Sequence, residues 1–269
     1  MKRYGFGFAL LLLAGAATVF ADDLDDALAA LKSAEASKNA AKVKELAATA
    51  HATAMKYEGP APADVDKDNW AARGRYAKDV DKYSEYALYA LAIQSPPATG
   101  MDLIAALEKQ NPKSEYLDRP DILIVEADNA LSKNQADRAL GYANRLIAAA
   151  NKSAPEGVSA EEWEKMRSAA LGRGYWIAGV IQGQKNLYKD CDRNLRAALP
   201  LIKGNNAMMG PALFYLGVVN YNLGKMTLNK GKLLEAAKYS QESAAIQGPY
   251  QDQAYRNSIA IKAEADRMR

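Results

Sequence analysis

Three observations predict an all-α protein of about eleven helices. Apolar residues recur three and four positions apart through almost every stretch after residue 22, and these stretches are rich in the helix-favouring residues Ala, Leu, Lys and Glu. Segments that alternate Val, Ile, Thr or Tyr with polar residues, as strands do, are nearly absent. Short groups of Gly, Pro, Asn and Ser separate the periodic stretches and mark the turns.

The first half of the chain is divided by clear turn residues. Ser37-Lys38-Asn39 separates the first two predicted helices, and Gly59–Pro62 precedes the third. Pro96-Pro97 and Asn111-Pro112 bound the fourth, because proline cannot donate the hydrogen bond that continues a helix. The predicted helices of this half cover 22–37, 40–57, 68–95 and 99–110.

The second half has the same organisation. Arg119-Pro120 precedes its first helix, and Gly204–Asn206 separates two later ones. Ser159 and Glu162 form a capping box, which predicts a helix start at 159. The predicted helices cover 121–132, 135–150, 159–186, 189–203, 209–229, 231–247 and 250–267. Since most connections are short, we expect antiparallel helix hairpins.

Residues 1–21 have the pattern of a cleaved secretory signal peptide. Lys2 and Arg3 precede an uncharged stretch from Gly5 to Ala21, and Val19 and Ala21 suit signal peptidase. We predict cleavage after Ala21 and an exported protein, periplasmic or secreted. The alternative is an uncleaved anchor, but the stretch spans roughly 25 Å as a helix, short of the roughly 30 Å hydrocarbon core. No cysteine follows the cleavage site, which excludes a bacterial lipoprotein.

Charge and cysteine content limit the function classes. Without the signal peptide, the chain has 33 basic and 32 acidic residues. This charge balance does not favour nucleic-acid binding, which normally needs a concentrated basic face. The single cysteine, Cys191, cannot form an internal disulfide. No second apolar run reaches membrane length. The sequence therefore predicts a soluble mature domain without a membrane span, and it favours no oligomeric state.

Two segments carry a repeat pattern: a large residue and then a pair ending in glycine on a first helix, followed by a second helix that carries alanine. The first segment spans 175–203, and the second spans 213–249. The matching residues of the first are Tyr175, Ala178-Gly179, Tyr188, Cys191, Leu195 and Ala198. Those of the second are Leu213, Leu216-Gly217, Ala237, Ala244 and Pro249.

This pattern resembles the tetratricopeptide repeat, over 121–249. Gln182 and Asn220 depart from it, standing where the family usually has Tyr. The resemblance implies a right-handed α-solenoid of degenerate repeats, in which small residues such as Gly179 and Gly217 allow close helix approach. After the signal peptide at 1–21, it divides the chain into a helical N-terminal part with repeat-like hairpins at 22–112, tetratricopeptide-like repeats at 113–249 and a capping helix at 250–269.

The remaining motifs favour structural roles over chemistry. The aspartates of Asp64–Asp68 resemble the start of a calcium loop, but Asn69 replaces the required glycine and Arg75 the bidentate glutamate, so we expect them to cap the next helix. His51 has no carboxylate three or four residues away, and Cys191 is expected to be buried. We find no phosphate loop, nucleophile elbow or Cys/His cluster, and we predict no cofactor, no metal site and no catalytic residue.

Two candidate binding surfaces remain. In the first, aromatic residues crowd the segment 68–95 and could line a peptide or glycan surface, or only pack between helices: Trp70, Tyr76, Tyr83, Tyr86 and Tyr89. The second is implied by the resemblance, because first helices of tetratricopeptide pairs line a concave groove. Its residues would be Trp176, Val180, Gln184, Phe214, Val218, Tyr221 and Asn222, although some could pack against neighbouring repeats.

The leading functional hypothesis is an exported adaptor or scaffold, not an enzyme, whose concave face binds another protein or peptide in a cell-envelope complex. One alternative is a helical protein that binds a glycan or small ligand. Another is a helical enzyme acting on envelope polysaccharide, which would need titratable residues converging in a cleft.

Overall fold

Eleven α-helices and one 3₁₀ helix make up the part of the protein that the computed structural model describes, residues 23–155 and 158–268. The predicted signal peptide, 1–21, lies outside these residues. The α-helices are α1 (Asp23–Ala36), α2 (Ala40–Met55), α3 (Lys67–Ala92), α4 (Pro97–Gln110), α5 (Pro120–Ser132), α6 (Ala136–Ala150), α7 (Ala160–Gln184), α8 (Tyr188–Ala198), α9 (Asn206–Met226), α10 (Lys230–Ala244) and α11 (Gln251–Arg267).

The all-α prediction is confirmed, and each predicted helix has a counterpart. The capping box of Ser159 and Glu162 is present, and Asp66 caps α3 by accepting from two backbone amides. Two details differ. The sequence did not indicate the 3₁₀ helix Glu115–Asp118, and α8 ends at Ala198 because Pro200 has no N–H to extend it.

Four helix pairs share one connection of three residues. They are α1/α2, α5/α6, α7/α8 and α9/α10, and the middle residue of each connection has a left-handed backbone. The middle residues and their φ angles are Lys38 (53°), Asn134 (55°), Asn186 (58°) and Leu228 (51°). In each turn the next N–H donates to the carbonyl five residues back, as in a Schellman motif. The pair α3/α4 is connected differently.

The second helix of each of these four pairs buries the same positions. Counted from the left-handed residue, the fifth, ninth and twelfth residues are buried. They are Val43, Ala47 and Ala50 in α2, Ala139, Ala143 and Leu146 in α6, Cys191, Leu195 and Ala198 in α8, and Leu233, Ala237 and Ser240 in α10. A common turn therefore sets a common packing face.

Gly179 and Gly217 lie where paired helices approach closely. A Cβ added to Gly179 would meet Leu195 Cδ2 at 2.5 Å, and one on Gly217 would collide with the Ser240 side chain. The two glycines are 38 residues apart, whereas the turn centres Asn186 and Leu228 are 42 apart. The glycines thus occupy positions one helical turn apart in their pairs.

Helices pack with their neighbours along the chain. Substantial contacts among the described α-helices join consecutive helices or helices two apart, such as α1 with α3 and α7 with α9. Five buried apolar clusters follow one another from α1 to α11. The core is therefore distributed along the array of helix pairs.

Candidate functional site

The aromatic residues of α3 are held by hydrogen bonds to other helices. The hydroxyls of Tyr76 and Tyr83 donate to Asp25 and Glu35 of α1. The hydroxyl of Tyr89 donates to Asp121 of α5 at 2.6 Å. α3 is thereby linked to α1 on one side and to α5 on the other.

Trp70 lies apart from these tyrosines, at the start of α3. Its ring packs on Tyr57 with 5.3 Å between centroids, and its N–H donates to the Gly59 carbonyl at 3.1 Å. Trp70 therefore fastens the connection between α2 and α3.

Tyrosine rings form a ladder between α3 and the 3₁₀ helix. Tyr86 lies 5.8 Å from Tyr83 and 6.4 Å from Tyr89, measured between ring centroids. Tyr89 stacks on Tyr116 at 4.8 Å, with 19° between the ring planes. Arg119 places its guanidinium carbon 4.8 Å from the centre of the Tyr89 ring. Tyr116 was not part of the predicted surface, because it lies in the short helix that the sequence did not indicate.

Burial raises the pKa of the tyrosines in this ladder. Burial is the largest cause for Tyr83 and Tyr89, and the carboxylates that their hydroxyls contact raise the pKa further. Burial raises the pKa of Tyr116 to about 12. These hydroxyls consequently remain protonated donors at physiological pH. Of the predicted aromatic surface, Tyr89 is buried, and Trp70, Tyr76, Tyr83 and Tyr86 are half-buried.

Several residues of the predicted groove contact the next helix pair. Trp176 donates from its indole N–H to the Met208 carbonyl of α9 at 2.8 Å. Phe214 is 6% exposed and stacks on Tyr250 with 4.6 Å between centroids. Val180 is 7% exposed and belongs to the core between α7, α8 and α9.

The other four residues of the predicted groove are more accessible. Gln184 is exposed, and Val218 is half-buried. Asn222 donates to the Val218 carbonyl of its own helix at 2.8 Å, and Tyr221 donates to Glu264 of α11 at 2.9 Å. Of the seven residues, Gln184, Val218 and Asn222 thus retain surface without a side-chain bond to another helix pair.

A polar cluster around Arg196 joins α8, α9 and α10. Arg196 donates to Asp192 at 2.9 Å, and to Glu235 at 2.8 Å. It also donates to the Tyr239 hydroxyl at 2.9 Å and to the buried Asn220 at 3.3 Å. Its guanidinium group lowers the pKa of the Glu235 carboxyl. The sequence offered one indication of this cluster: Asn220 stands where the tetratricopeptide pattern usually has Tyr.

His51 is paired with a carboxylate from a different helix. Its Nδ1 lies 2.7 Å from Asp81 Oδ1 of α3, 30 residues away in the sequence. Ser84 donates to the Asp81 carbonyl at 2.6 Å and accepts from Gln110 at 2.6 Å. The serine hydroxyl is thus directed to the backbone instead of to the imidazole, which is not the relay of a serine nucleophile.

A polar cavity of about 220 Å³ lies between the end of α4, the 3₁₀ helix, α5 and α6. We call it the Glu126 cavity, and its lining residues are Glu108, Pro112, Lys113, Ser114, Leu117, Asp118, Glu126, Tyr142 and Arg145. Glu126 is only 6% exposed, and its Oε2 has no hydrogen-bond partner among the described residues. Sequence reasoning missed this cavity, since Glu126 follows an apolar run on α5 like any helix-surface glutamate.

The electrostatics of Glu126 follow from its burial. Burial is the largest cause and raises the pKa of its carboxyl above the ordinary 4.5. Hydrogen bonding to Tyr142 and the charges of Arg145 and Arg138 lower it, and the charge of Glu108 raises it. A buried carboxyl with a raised pKa in a cavity is a recognised mark of a functional site.

The arrangement defines an all-α protein of sequentially packed helix pairs. Comparisons of the chain with protein-family models, with curated proteins and with solved structures gave no match. Within residues 23–155 and 158–268, no helix is both long enough and apolar enough to cross a membrane. No group of three or more His, Cys, Asp or Glu side chains in these same ranges is placed to hold a metal ion.

Proposed function

We propose that this protein is an exported adaptor or scaffold, built as a tetratricopeptide-like α-solenoid, that binds another polypeptide in the cell envelope. The observation that carries the proposal is that, among the described helices, substantial contacts join only helices one or two apart along the chain. In repeat proteins this packing exposes an extended surface, and such surfaces typically bind other proteins. The four equivalent turns support a recurring structural unit, the helix pair.

Exposed apolar side chains indicate where a partner binds. Leu228 is 81% exposed at the centre of the α9/α10 turn. Its left-handed backbone is unfavourable for leucine, and its exposed side chain contributes little to the stability of the fold. Met226 beside it and Leu187 in the α7/α8 turn are exposed as well. Exposed apolar groups of this kind are typical of interaction surfaces.

The two alternative functions have less support in the geometry. A glycan surface on α3 would need exposed ring faces, whereas Tyr89 is buried against Tyr116 and the hydroxyls of Tyr76 and Tyr83 are bound to α1. A serine nucleophile beside His51 would need its hydroxyl directed to the imidazole, whereas the Ser84 hydroxyl donates to the Asp81 carbonyl.

Site-specific crosslinking in cells tests the proposal. A photoreactive phenylalanine at Leu228 should capture a defined envelope protein, and the same residue at Asn134 should not. Asn134 is the matched control, because it is exposed and has the same turn geometry but no apolar neighbour of this kind. Identical products at both positions, or none at Leu228, at Gln184 and at Val218, would contradict the adaptor proposal.

Export is tested separately. Protein purified from the periplasm or medium should begin at Asp22, as measured by intact mass and N-terminal sequencing. Recovery of the full chain from the cytoplasm alone would contradict this part of the proposal.

A further inference from the structure

The Glu126 cavity contains a buried carboxylate, and the two arginines whose charges act on it bond to other groups. Arg145 donates to Asp118 at 2.9 Å and to the Leu117 carbonyl at 3.3 Å. Arg138 donates to the Tyr142 hydroxyl at 3.3 Å and to Gln135 at 3.2 Å. Neither arginine lies within ion-pair distance of Glu126, so its Oε2 keeps an unused lone pair in a buried position.

A buried carboxylate oxygen without a hydrogen bond destabilises the folded protein. Removing such a group from water without a compensating hydrogen bond costs stability, and ionised groups cost more than neutral ones. The carboxylate is thus a preorganised acceptor for a donor that enters from outside.

The lining of the cavity selects the chemistry of that donor. Glu108 adds a second carboxylate to the lining, whereas Asp118 is paired with Arg145 and the Tyr142 ring already contacts Arg145 and Arg138. Pro112 and Leu117 provide apolar surface for a short aliphatic stem. Its volume leaves room for one head group with its first carbons.

We propose that the Glu126 cavity binds a compact organic cation, a primary ammonium or guanidinium group, whose N–H donates to Glu126 Oε2. Such a group occurs on free amines and on lysine and arginine side chains. The assignment of this cation to a side chain of a partner polypeptide rests on the proposed adaptor function. The proposal that the cavity binds a cation does not depend on that function.

Small probes test the cavity directly. In ¹H–¹⁵N NMR titrations, n-butylammonium and n-butylguanidinium should shift the amide resonances of the lining residues, and the neutral n-butanol should not. Glu126→Gln keeps the shape and removes the charge, so its Kd for both cations should rise about tenfold or more. Glu45→Gln, an exposed site on α2, should leave the Kd unchanged.

Proton release gives a readout in the unmodified protein. A cation beside Glu126 favours the ionised carboxylate, so binding at a pH near its raised pKa should release protons. Calorimetry in buffers of different ionisation enthalpy measures this release, and Glu126→Gln should abolish it. Equal shifts with n-butanol, cation affinity unchanged by Glu126→Gln, or no response to either cation in the millimolar range would each overturn the proposal.

Two peptides distinguish the source of the cation. Acetyl-Gly-Arg-Gly-amide should bind at least as tightly as n-butylguanidinium, and acetyl-Gly-Gln-Gly-amide should not bind. If both free cations bind through Glu126 but the arginine peptide does not, the cavity is a small-molecule site. That result keeps the cation site and removes its link to the adaptor function.

Discussion

Tyrosine–carboxylate hydrogen bonds tie α3 to the helices beside it. Tyr76 and Tyr83 reach α1, and Tyr89 reaches α5. A hydroxyl that donates to a carboxylate forms a charge-assisted bond, which is stronger than a neutral one. These bonds join helices two apart along the chain, so they fix how successive pairs pack.

Removing one of these hydroxyls should destabilise the protein. Tyr89→Phe leaves Asp121 without its 2.6 Å donor in a mostly buried position, and we expect a loss of about 1.5–3 kcal/mol in the free energy of unfolding. Urea denaturation measures the loss. Tyr255→Phe is the control, because Tyr255 is 60% exposed and should change stability by less than about 0.5 kcal/mol. Equal effects of the two substitutions would show that the Tyr89 bond is not stabilising.

Glu126 should make the protein less stable as the pH rises. Its pKa is raised in the folded state, so the folded protein binds the proton more tightly than the unfolded chain does. The stabilisation from protonation is complete below the ordinary 4.5 and is lost as the pH rises through the raised pKa. Glu126→Gln, which carries no titrating group, should therefore gain stability relative to the unmodified protein over this range.

Thermal melts of both proteins from pH 4 to pH 8 measure this difference. Glu85→Gln is a matched control, because Glu85 is equally buried but accepts from Asn111 at 2.8 Å. It should not show the same gain. A constant difference between the unmodified protein and Glu126→Gln across the pH range would mean that Glu126 does not titrate in the folded protein.

Helix pairs with the three-residue turn are the repeating elements of this protein. The turn fixes the orientation of the second helix relative to the first, and small residues set the distance between the two helices. In α9, Gly217 allows contact with Ser240 of α10. A side chain there would force the helices apart.

Substitutions at two glycines should have opposite effects. Gly217→Ala should destabilise, and Gly217→Leu should cost on the order of 1–3 kcal/mol, because the added atoms collide with Ser240 and the Ala236 carbonyl. Gly141→Ala should stabilise by about 0.5–1 kcal/mol, because nothing lies within 4 Å of its added Cβ and alanine favours the helix. Calorimetric unfolding compares them. Stabilisation by both would mean that α9 and α10 are not in close contact at Gly217.

The helices were predictable from sequence, whereas the side-chain network was not. Helix periodicity and capping act over a few residues, so Ser159 with Glu162 was enough to place the start of α7. The pair of His51 and Asp81 depends on how α2 packs on α3, which no local pattern specifies. The Glu126 cavity needs four elements in place, including a 3₁₀ helix too short for a periodicity signal.

The array of pairs determines how stability is distributed along the chain. α11 contacts α10 and α9, and no substantial contact joins it to the first eight helices of the described structure. In arrays of this kind, stability is approximately a sum of each unit and its interfaces with its neighbours. Local changes should therefore have local effects.

Deleting α11, residues 251–267, should test this distribution. The deletion exposes the buried residues Leu233 and Ala236 of α10. We expect faster hydrogen–deuterium exchange in α9 and α10 and unchanged exchange in α1–α4, as measured by mass spectrometry. Faster exchange along the entire chain would instead indicate a single cooperative unit.

The neighbour-only packing also has a mechanical consequence. A pulling force applied to the two ends is carried by the helix pairs in series, because no substantial contact joins helices more than two apart among the described residues. In a force-extension measurement the terminal pairs should yield first, and the array should lengthen in steps of one pair. The protein would then extend under load one helix pair at a time instead of unfolding all at once.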